Sequence, residues 1–168
     1  MFTGSAMIGF GQGFQPVCGF NYGAGRYDRV KRAFLFCVKV STVFLLVLSV
    51  VGILAAPLLI ELFQKGDAMV LEIGTPALRA QLISLPLIAL TVMANMMLQT
   101  TGKVGRASFL ATARQGLVFI PALLLLSRVF ELWGILLTQC VSDIISFACA
   151  LPITIGFFRE CGRQQSTL

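Results

Sequence analysis

One acidic residue lies deep within a long apolar stretch near the end of the sequence. Asp143 is the only charged residue in the run 132–158. If that run is a membrane helix, a charge near its centre costs about 2.5–3.5 kcal/mol to insert. Gln139 lies one helical turn before it, and Ser142 and Ser146 form a second pair at the same spacing. The cost makes Asp143 a candidate functional residue, with an acid that is bonded to a neighbouring helix or kept protonated as the alternative.

A second group of polar side chains lies at helical spacing in the run 80–102, which contains no acid. Asn95 and Gln99 are one turn apart and therefore share a face. Met96 lies between them in sequence, and a flexible thioether beside amides suits a wall that accepts varied ligands. The pattern indicates either a substrate cavity or ordinary helix packing.

The uncharged opening segment is rich in residues that form helices poorly in water. In lipid the spacing Gly9-x-x-x-Gly13 lets a neighbouring helix approach closely, and Pro16 bends its helix. Gln12 and Gln15 are polar and should face protein or water rather than lipid. We interpret them as candidates for a substrate cavity, with packing alone as the alternative.

Composition indicates whether these helices lie in water or in lipid. The chain of 168 residues is 57 % hydrophobic and 12 % charged, with a mean hydropathy of +0.90. Soluble domains average about 25 % charged residues, so too little polar surface remains for a globule in water. Because a backbone in lipid must satisfy its own hydrogen bonds, and the apolar runs do not alternate, we predict an all-α polytopic membrane protein.

Five runs are long enough to cross a bilayer core, which takes about 20 helical residues. The predicted spans are residues 1–25, 40–60, 80–102, 107–127 and 132–158. Each span contains one proline, at Pro16, Pro57, Pro86, Pro121 and Pro152. Bent and interrupted helices are typical of transporters whose halves move against each other.

The basic residues predict how the chain is oriented across its membrane. In a five-span arrangement 10 of the 13 Lys and Arg residues fall on one side, which the positive-inside rule makes cytoplasmic. The C-terminus is then cytoplasmic, and the net charge of +6 reflects topology rather than nucleic-acid binding. The basic stretch 26–39 is also suited to contact with anionic lipid. We expect Arg114, near the inner end of its span, to reach the polar boundary and to need no special role.

Catalytic and metal-binding patterns are absent from the sequence. The chain has no histidine, and its five cysteines are scattered without a Cys-x-x-Cys pair, which argues against a metal cluster or disulfides. No two acids share a face and no nucleophile has an evident base. We therefore predict that the chain is not an enzyme and uses no cofactor or metal.

The stretch GQGFQPVCGFNYGAGRYDRVKRA resembles the signature of the multidrug and toxic-compound extrusion (MATE) family. That signature runs Gln, Pro, Gly, Asn or Gln, Gly-Ala, and then a basic stretch. The matching residues here are Gln15, Pro16, Gly19, Asn21, Gly23 and Ala24. Three later stretches agree in order, namely LQTTGKVGRASF, ARQGLVFIPALLLL and GILLTQCVSDIISFACALPITIGFF, and the whole looks most like the MepA-like branch.

The resemblance implies a twelve-span fold of two six-helix lobes, with this chain as spans eight to twelve of the C-terminal lobe. Its partners would be the lipid bilayer, small-molecule drugs and the missing N-terminal lobe with spans one to seven. The implied activity is antiport, exporting amphipathic or cationic drugs in exchange for Na⁺ or H⁺.

One departure from the family concerns the coupling acid. Some members place it in span ten, but the corresponding run 80–102 has no acid, so Asp143 is a candidate on physical grounds alone. Two alternatives stay open. One is a lipid-linked sugar flippase of the same superfamily, for which Arg79 and Arg114 are the only candidate phosphate-binding cations within or bordering the later spans. The other is a structural membrane protein that transports nothing.

Overall fold

The computed structural model describes residues 2–63 and 68–165, and nearly all of them are helical. The elements in chain order are α1 (Phe2–Gly23), α2 (Tyr27–Phe63), α3 (Ala68–Thr100), α4 (Val104–Thr112), a π-helical turn (Ala113–Leu117) and α5 (Phe119–Gln165). These ranges contain no strand, and the predicted all-α class is confirmed. Three helical segments in the described ranges are long and apolar enough to cross a membrane, namely Tyr27–Leu58, Gly74–Thr100 and Leu137–Arg163.

Glycines in the left-handed conformation end two of the long helices. Gly25 has φ 69° after α1, and Gly102 has φ 75° after α3. In both turns the N–H after the glycine reaches back five residues, from Arg26 to the Asn21 carbonyl and from Lys103 to the Leu98 carbonyl. This is the Schellman pattern, which satisfies carbonyls that a helix end leaves open. It gives the Gly-Ala-Gly and Thr-Thr-Gly stretches of the sequence a structural role.

The helix α5 folds back on itself between its ends. A straight helix would separate Phe119 from Asp143 by about 36 Å at 1.5 Å per residue. Yet Arg114, which precedes α5 by only a few residues, contacts Asp143, and Lys103 contacts Glu160. The part of α5 from Asp143 to Glu160 therefore runs antiparallel to α4 and the π-helical turn. This reversal places residues from distant parts of the sequence side by side.

The helix α3 packs against α1, α2 and α5 and forms the centre of the bundle. Its completely buried residues include Ala89, Met93, Met97 and Leu98. The α2 helix, by contrast, leaves large apolar side chains exposed along its outer side. Such a surface is expected where the surrounding solvent is lipid, since burial in lipid satisfies apolar side chains as a protein core does.

Close approach between α1 and α3 occurs at Gly11, not at the predicted pair Gly9 and Gly13. A Cβ placed on Gly11 would lie 1.9 Å from Met96 Sδ, whereas one on Gly9 or Gly13 would meet nothing within 4 Å. No part of the described chain approaches Gly9 or Gly13, so a packing face at this pair stays a prediction. Only Gly9 and Gly13 are spaced as a small-xxx-small pair, so the rotation of α1, rather than that spacing, decides which glycine faces α3.

The turn after α3 is tied to the end of α5 by charged and aromatic contacts. Lys103 and Arg106 both form salt bridges with the Glu160 carboxylate, the latter at 2.6 Å. The Lys103 ammonium also lies 5.2 Å from the centre of the Phe157 ring, which stacks on Tyr22 from α1. These contacts hold the ends of α1, α3 and α5 together at the basic end of the bundle.

Candidate functional site

The Asp143 carboxylate is buried at the meeting point of three elements. Its side chain is 2 % exposed, and its Oδ1 atom accepts hydrogen bonds from Arg114 Nε at 3.1 Å and Gln139 Nε2 at 3.3 Å. Ser84 Oγ on α3 lies 3.4 Å from Oδ2 and 3.0 Å from the Gln81 carbonyl, so its single hydroxyl hydrogen serves one of them at a time. We call Asp143, Arg114, Gln139 and Ser84 the Asp143 cluster.

The π-helical turn places Arg114 in this cluster. Val118 N–H donates to the Ala113 carbonyl at 3.0 Å, whereas in a regular α-helix it would bond to the Arg114 carbonyl. That carbonyl accepts instead from Ser142 Oγ on α5 at 2.7 Å. Such π-helical turns insert one extra residue into a helix and are frequent at functional sites. Here the turn joins both the backbone and the side chain of Arg114 to α5.

The expectation that Arg114 reaches the polar boundary without a special role is wrong. Its side chain is only 25 % exposed and pairs with the nearly buried Asp143. The fold-back of α5 brings the two residues into register, and the π-helical turn aims the guanidinium at the carboxylate. The signal in the sequence was that Arg114 and Asp143 are the lone charges of the last two predicted spans and have opposite sign. Nothing in the sequence marked Ser84.

A small cavity lies beside Arg114, and its lining residues come from α3, α4 and the π-helical turn. It has a volume of about 100 Å³ and is lined in part by Thr91, Asn95, Leu110 and Arg114. Thr91 Oγ1 is buried there and has no hydrogen-bond partner within the described ranges. The space exceeds what one water molecule needs, so a water or a polar ligand group would be satisfied by Thr91, Asn95 and Arg114 together.

The predicted amide face on α3 forms as expected from its spacing. Gln99 Nε2 donates to Asn95 Oδ1 at 3.3 Å, with Asn95 half-buried and Gln99 exposed. Asn95 lines the cavity beside Arg114, whereas Met96 packs against Gly11 of α1. The structure thus places Asn95 at the same cavity as Arg114, whereas Met96 lies against α1.

The two glutamines of α1 form no hydrogen bond with the Asp143 cluster. Gln12 is exposed and Gln15 is half-buried. Neither side chain has a hydrogen-bond partner in the part of the chain that the structure describes. Their assignment to a substrate cavity remains a prediction.

The signature stretch has a structural explanation at the end of α1. Asn21 Nδ2 donates to the Val17 carbonyl at 2.8 Å, one turn earlier and just after Pro16. A Cβ on Gly19 would lie 3.0 Å from the Thr100 side chain, so the residue keeps α1 close to α3. Gly23 ends α1, and Ala24 enters the Schellman turn. Gly19, Asn21, Gly23 and Ala24 therefore shape the end of α1 and its contact with α3.

A bundle of apolar helices enclosing a buried Asp–Arg pair defines the class as a multi-pass helical membrane protein. The MatE family model matches residues 1–125, which is well over half of the chain. The chain belongs to the MATE family.

Curated relatives cover most of this chain with only part of their own length. It is 24 % identical over 147 residues to the multidrug export protein MepA of Staphylococcus haemolyticus (strain JCSC1435), covering 88 % of this chain and 32 % of that protein. For MepA of Staphylococcus aureus (strain NCTC 8325) the identity is 28 % over 149 residues, with the same coverages. The chain spans about a third of the length of these relatives.

Solved structures of the family share the fold. An inward-facing MATE multidrug resistance transporter matches with a TM-score of 0.88 at 16 % identity, over 97 % of this chain and 38 % of that one. An outward-facing MATE transporter matches with a TM-score of 0.85 at 18 % identity, over 94 % and 36 %. The MATE multidrug transporter DinF-BH matches with a TM-score of 0.74 at 27 % identity, over 90 % and 34 %.

Proposed function

We propose that this chain forms part of a multidrug antiporter that exports amphipathic or cationic drugs in exchange for Na⁺ or H⁺. The observation that carries the proposal is the buried Asp143–Arg114 pair within a MATE fold. The multidrug export proteins named MepA support the drug-export part, because they match over 88 % of this chain.

The proposed place of the chain in the transporter is spans eight to twelve, in the C-terminal lobe of a multi-pass bacterial membrane protein with a cytoplasmic C-terminus. The same fold matches an inward-facing and an outward-facing transporter almost equally well. That is expected of a unit that moves as a rigid body against a second one. The salt bridges of Lys103 and Arg106 with Glu160 would add to this rigidity.

The proposed coupling acts through competition for the Asp143 carboxylate. In the structure the carboxylate neutralises Arg114. A proton or Na⁺ at Asp143 would weaken that pair and leave the Arg114 charge directed at the cavity beside Thr91 and Asn95. An uncompensated cation there repels a cationic drug, since like charges in a low-dielectric site interact strongly. Ion entry would thus favour drug release, which is the requirement for antiport.

The flippase alternative needs cations for the lipid-linked phosphate. Of its two candidates, Arg114 is paired with Asp143 and Arg79 lies exposed on α3, so this alternative stays open. The other alternative, a structural membrane protein that transports nothing, is separated from transport by the experiment below.

The test is ethidium efflux in a pump-deficient bacterial strain. One plasmid expresses residues 1–168 alone, and a second joins them to the seven spans of a MATE relative. We expect energy-dependent efflux only from the joined form, because alternating access needs two units. No efflux from a well-expressed joined form would favour the structural alternative, and efflux from the short form would refute the proposed place in the fold.

A further inference from the structure

A groove with a volume of about 400 Å³ opens between α2, α3 and α5 and shares no lining residue with the Asp143 cluster. Its walls include Leu35 of α2 and Leu151 and Ile155 of α5, which are 53 %, 39 % and 50 % exposed. Its floor contains Phe34, which is completely buried. A volume of this size is typical of sites for small molecules, and the apolar walls suit a hydrocarbon chain.

Two cations lie at one end of this groove. Lys31 precedes Leu35 by one turn on α2, and Arg159 follows Ile155 by one turn on α5, so each lies about 6 Å beyond the apolar wall along its helix. Both side chains are exposed, and neither forms an ion pair within residues 2–63 and 68–165. The groove therefore combines a doubly positive mouth with an apolar body.

We propose that this groove is a binding site for an anionic phospholipid. Its phosphate lies between Lys31 and Arg159, and one acyl chain lies along Leu35, Leu151 and Ile155. Basic pockets between membrane helices are the usual sites for anionic lipid head groups. A cationic drug is repelled by the two charges, and a free phosphate makes no use of the apolar walls. The site is independent of the proposed antiport, because it uses none of the residues of the Asp143 cluster.

The affinity test uses the full chain, purified in detergent, with phosphatidylglycerol and phosphatidylcholine added separately and bound lipid counted by native mass spectrometry. A basic residue near an anionic lipid contributes about fivefold in affinity. The Lys31→Gln/Arg159→Gln variant should therefore bind phosphatidylglycerol about 25-fold more weakly. The control is Arg29→Gln/Arg32→Gln, which removes two exposed charges of the same region that do not line the groove. The affinity of this control variant for phosphatidylglycerol should fall by less than about twofold.

Equal losses in the two double variants would overturn the proposal, since the attraction would then belong to the basic surface as a whole. So would equal affinity of the unaltered chain for the two lipids. Thermal unfolding of each variant checks that it folds, and all four positions are exposed.

A second measurement locates the bound lipid and separates it from free phosphate. Phosphatidylglycerol with a photoactivatable acyl chain should label peptides that contain Leu35 or Ile155, in this chain and in the joined transporter. Glycerol phosphate, which has the head group without the chains, should not displace the lipid. Labelling elsewhere would place the lipid outside the groove, and displacement by glycerol phosphate would show that the acyl chains add nothing to binding. Either result would overturn the proposal.

Discussion

Removing the guanidinium of Arg114 should destabilise the protein far more than removing an exposed arginine. The Arg114 Nε and Asp143 Oδ1 atoms are 3.1 Å apart, and the carboxylate is 2 % exposed. At an effective dielectric constant of 20, two unit charges at this distance attract by about 5 kcal/mol. Loss of one partner of a buried pair costs about 3–5 kcal/mol, because the other charge is left buried and uncompensated. We expect the loss of stability in Arg114→Leu to lie in that range.

The pair can be separated from the single residues by a double-mutant cycle. Arg114→Leu/Asp143→Asn removes both charges, so we expect it to recover at least half of the stability that Arg114→Leu loses. Arg79→Leu is the matched control, since Arg79 is an exposed arginine on a membrane helix; its effect should stay within about 0.5 kcal/mol. Thermal unfolding in detergent measures these variants together with Asp143→Asn and the unaltered chain. Equal effects of Arg114→Leu and Arg79→Leu, or additive losses in the double variant, would refute the buried pair.

Two further predictions concern the helix contact and the membrane topology. Gly11→Ala should lower the free energy of unfolding by about 1 kcal/mol, because its Cβ meets Met96 Sδ and that flexible side chain must move. Gly9→Ala should leave the stability unchanged or raise it, because a Cβ there meets nothing within 4 Å. Equal midpoints of thermal unfolding for the two variants would contradict the contact. For the topology, Cys161 is a poor probe because it is 3 % exposed. A cysteine at the exposed Gly162 should resist a membrane-impermeant thiol reagent in intact cells, while one at Gly66, outside the described residues, should react, and the reverse pattern would contradict a cytoplasmic C-terminus.

Composition and patterning predicted the membrane class because they depend on residue counts and on short-range order. Charge content and long apolar runs require helices in lipid whatever their arrangement. The turns after Gly25 and Gly102 likewise follow from neighbouring residues, since a left-handed glycine ends a helix locally.

Contacts between distant residues could not be predicted in the same way. The Arg114–Asp143 pair depends on the reversal of α5 and on one extra residue in the π-helical turn, and neither leaves a periodic signal. The choice of Gly11 over Gly9 and Gly13 depends on how α1 is rotated against α3, which the glycine spacing alone does not determine. Ser84 joins the site through its place on α3, and isolated serines are common in membrane helices.

The most direct test of the account is ion-driven efflux by the joined transporter carrying Asp143→Asn. Asparagine keeps the size and hydrogen bonding of the side chain but cannot bind a proton or compensate Arg114. In inverted membrane vesicles with an imposed Na⁺ or H⁺ gradient, we expect this variant to lose at least about tenfold in drug transport at equal expression. The control Asp28→Asn, an acid in the first turn of α2, should transport normally. Unchanged efflux and unchanged ion dependence in Asp143→Asn would contradict the coupling role and leave Asp143 as a packing residue.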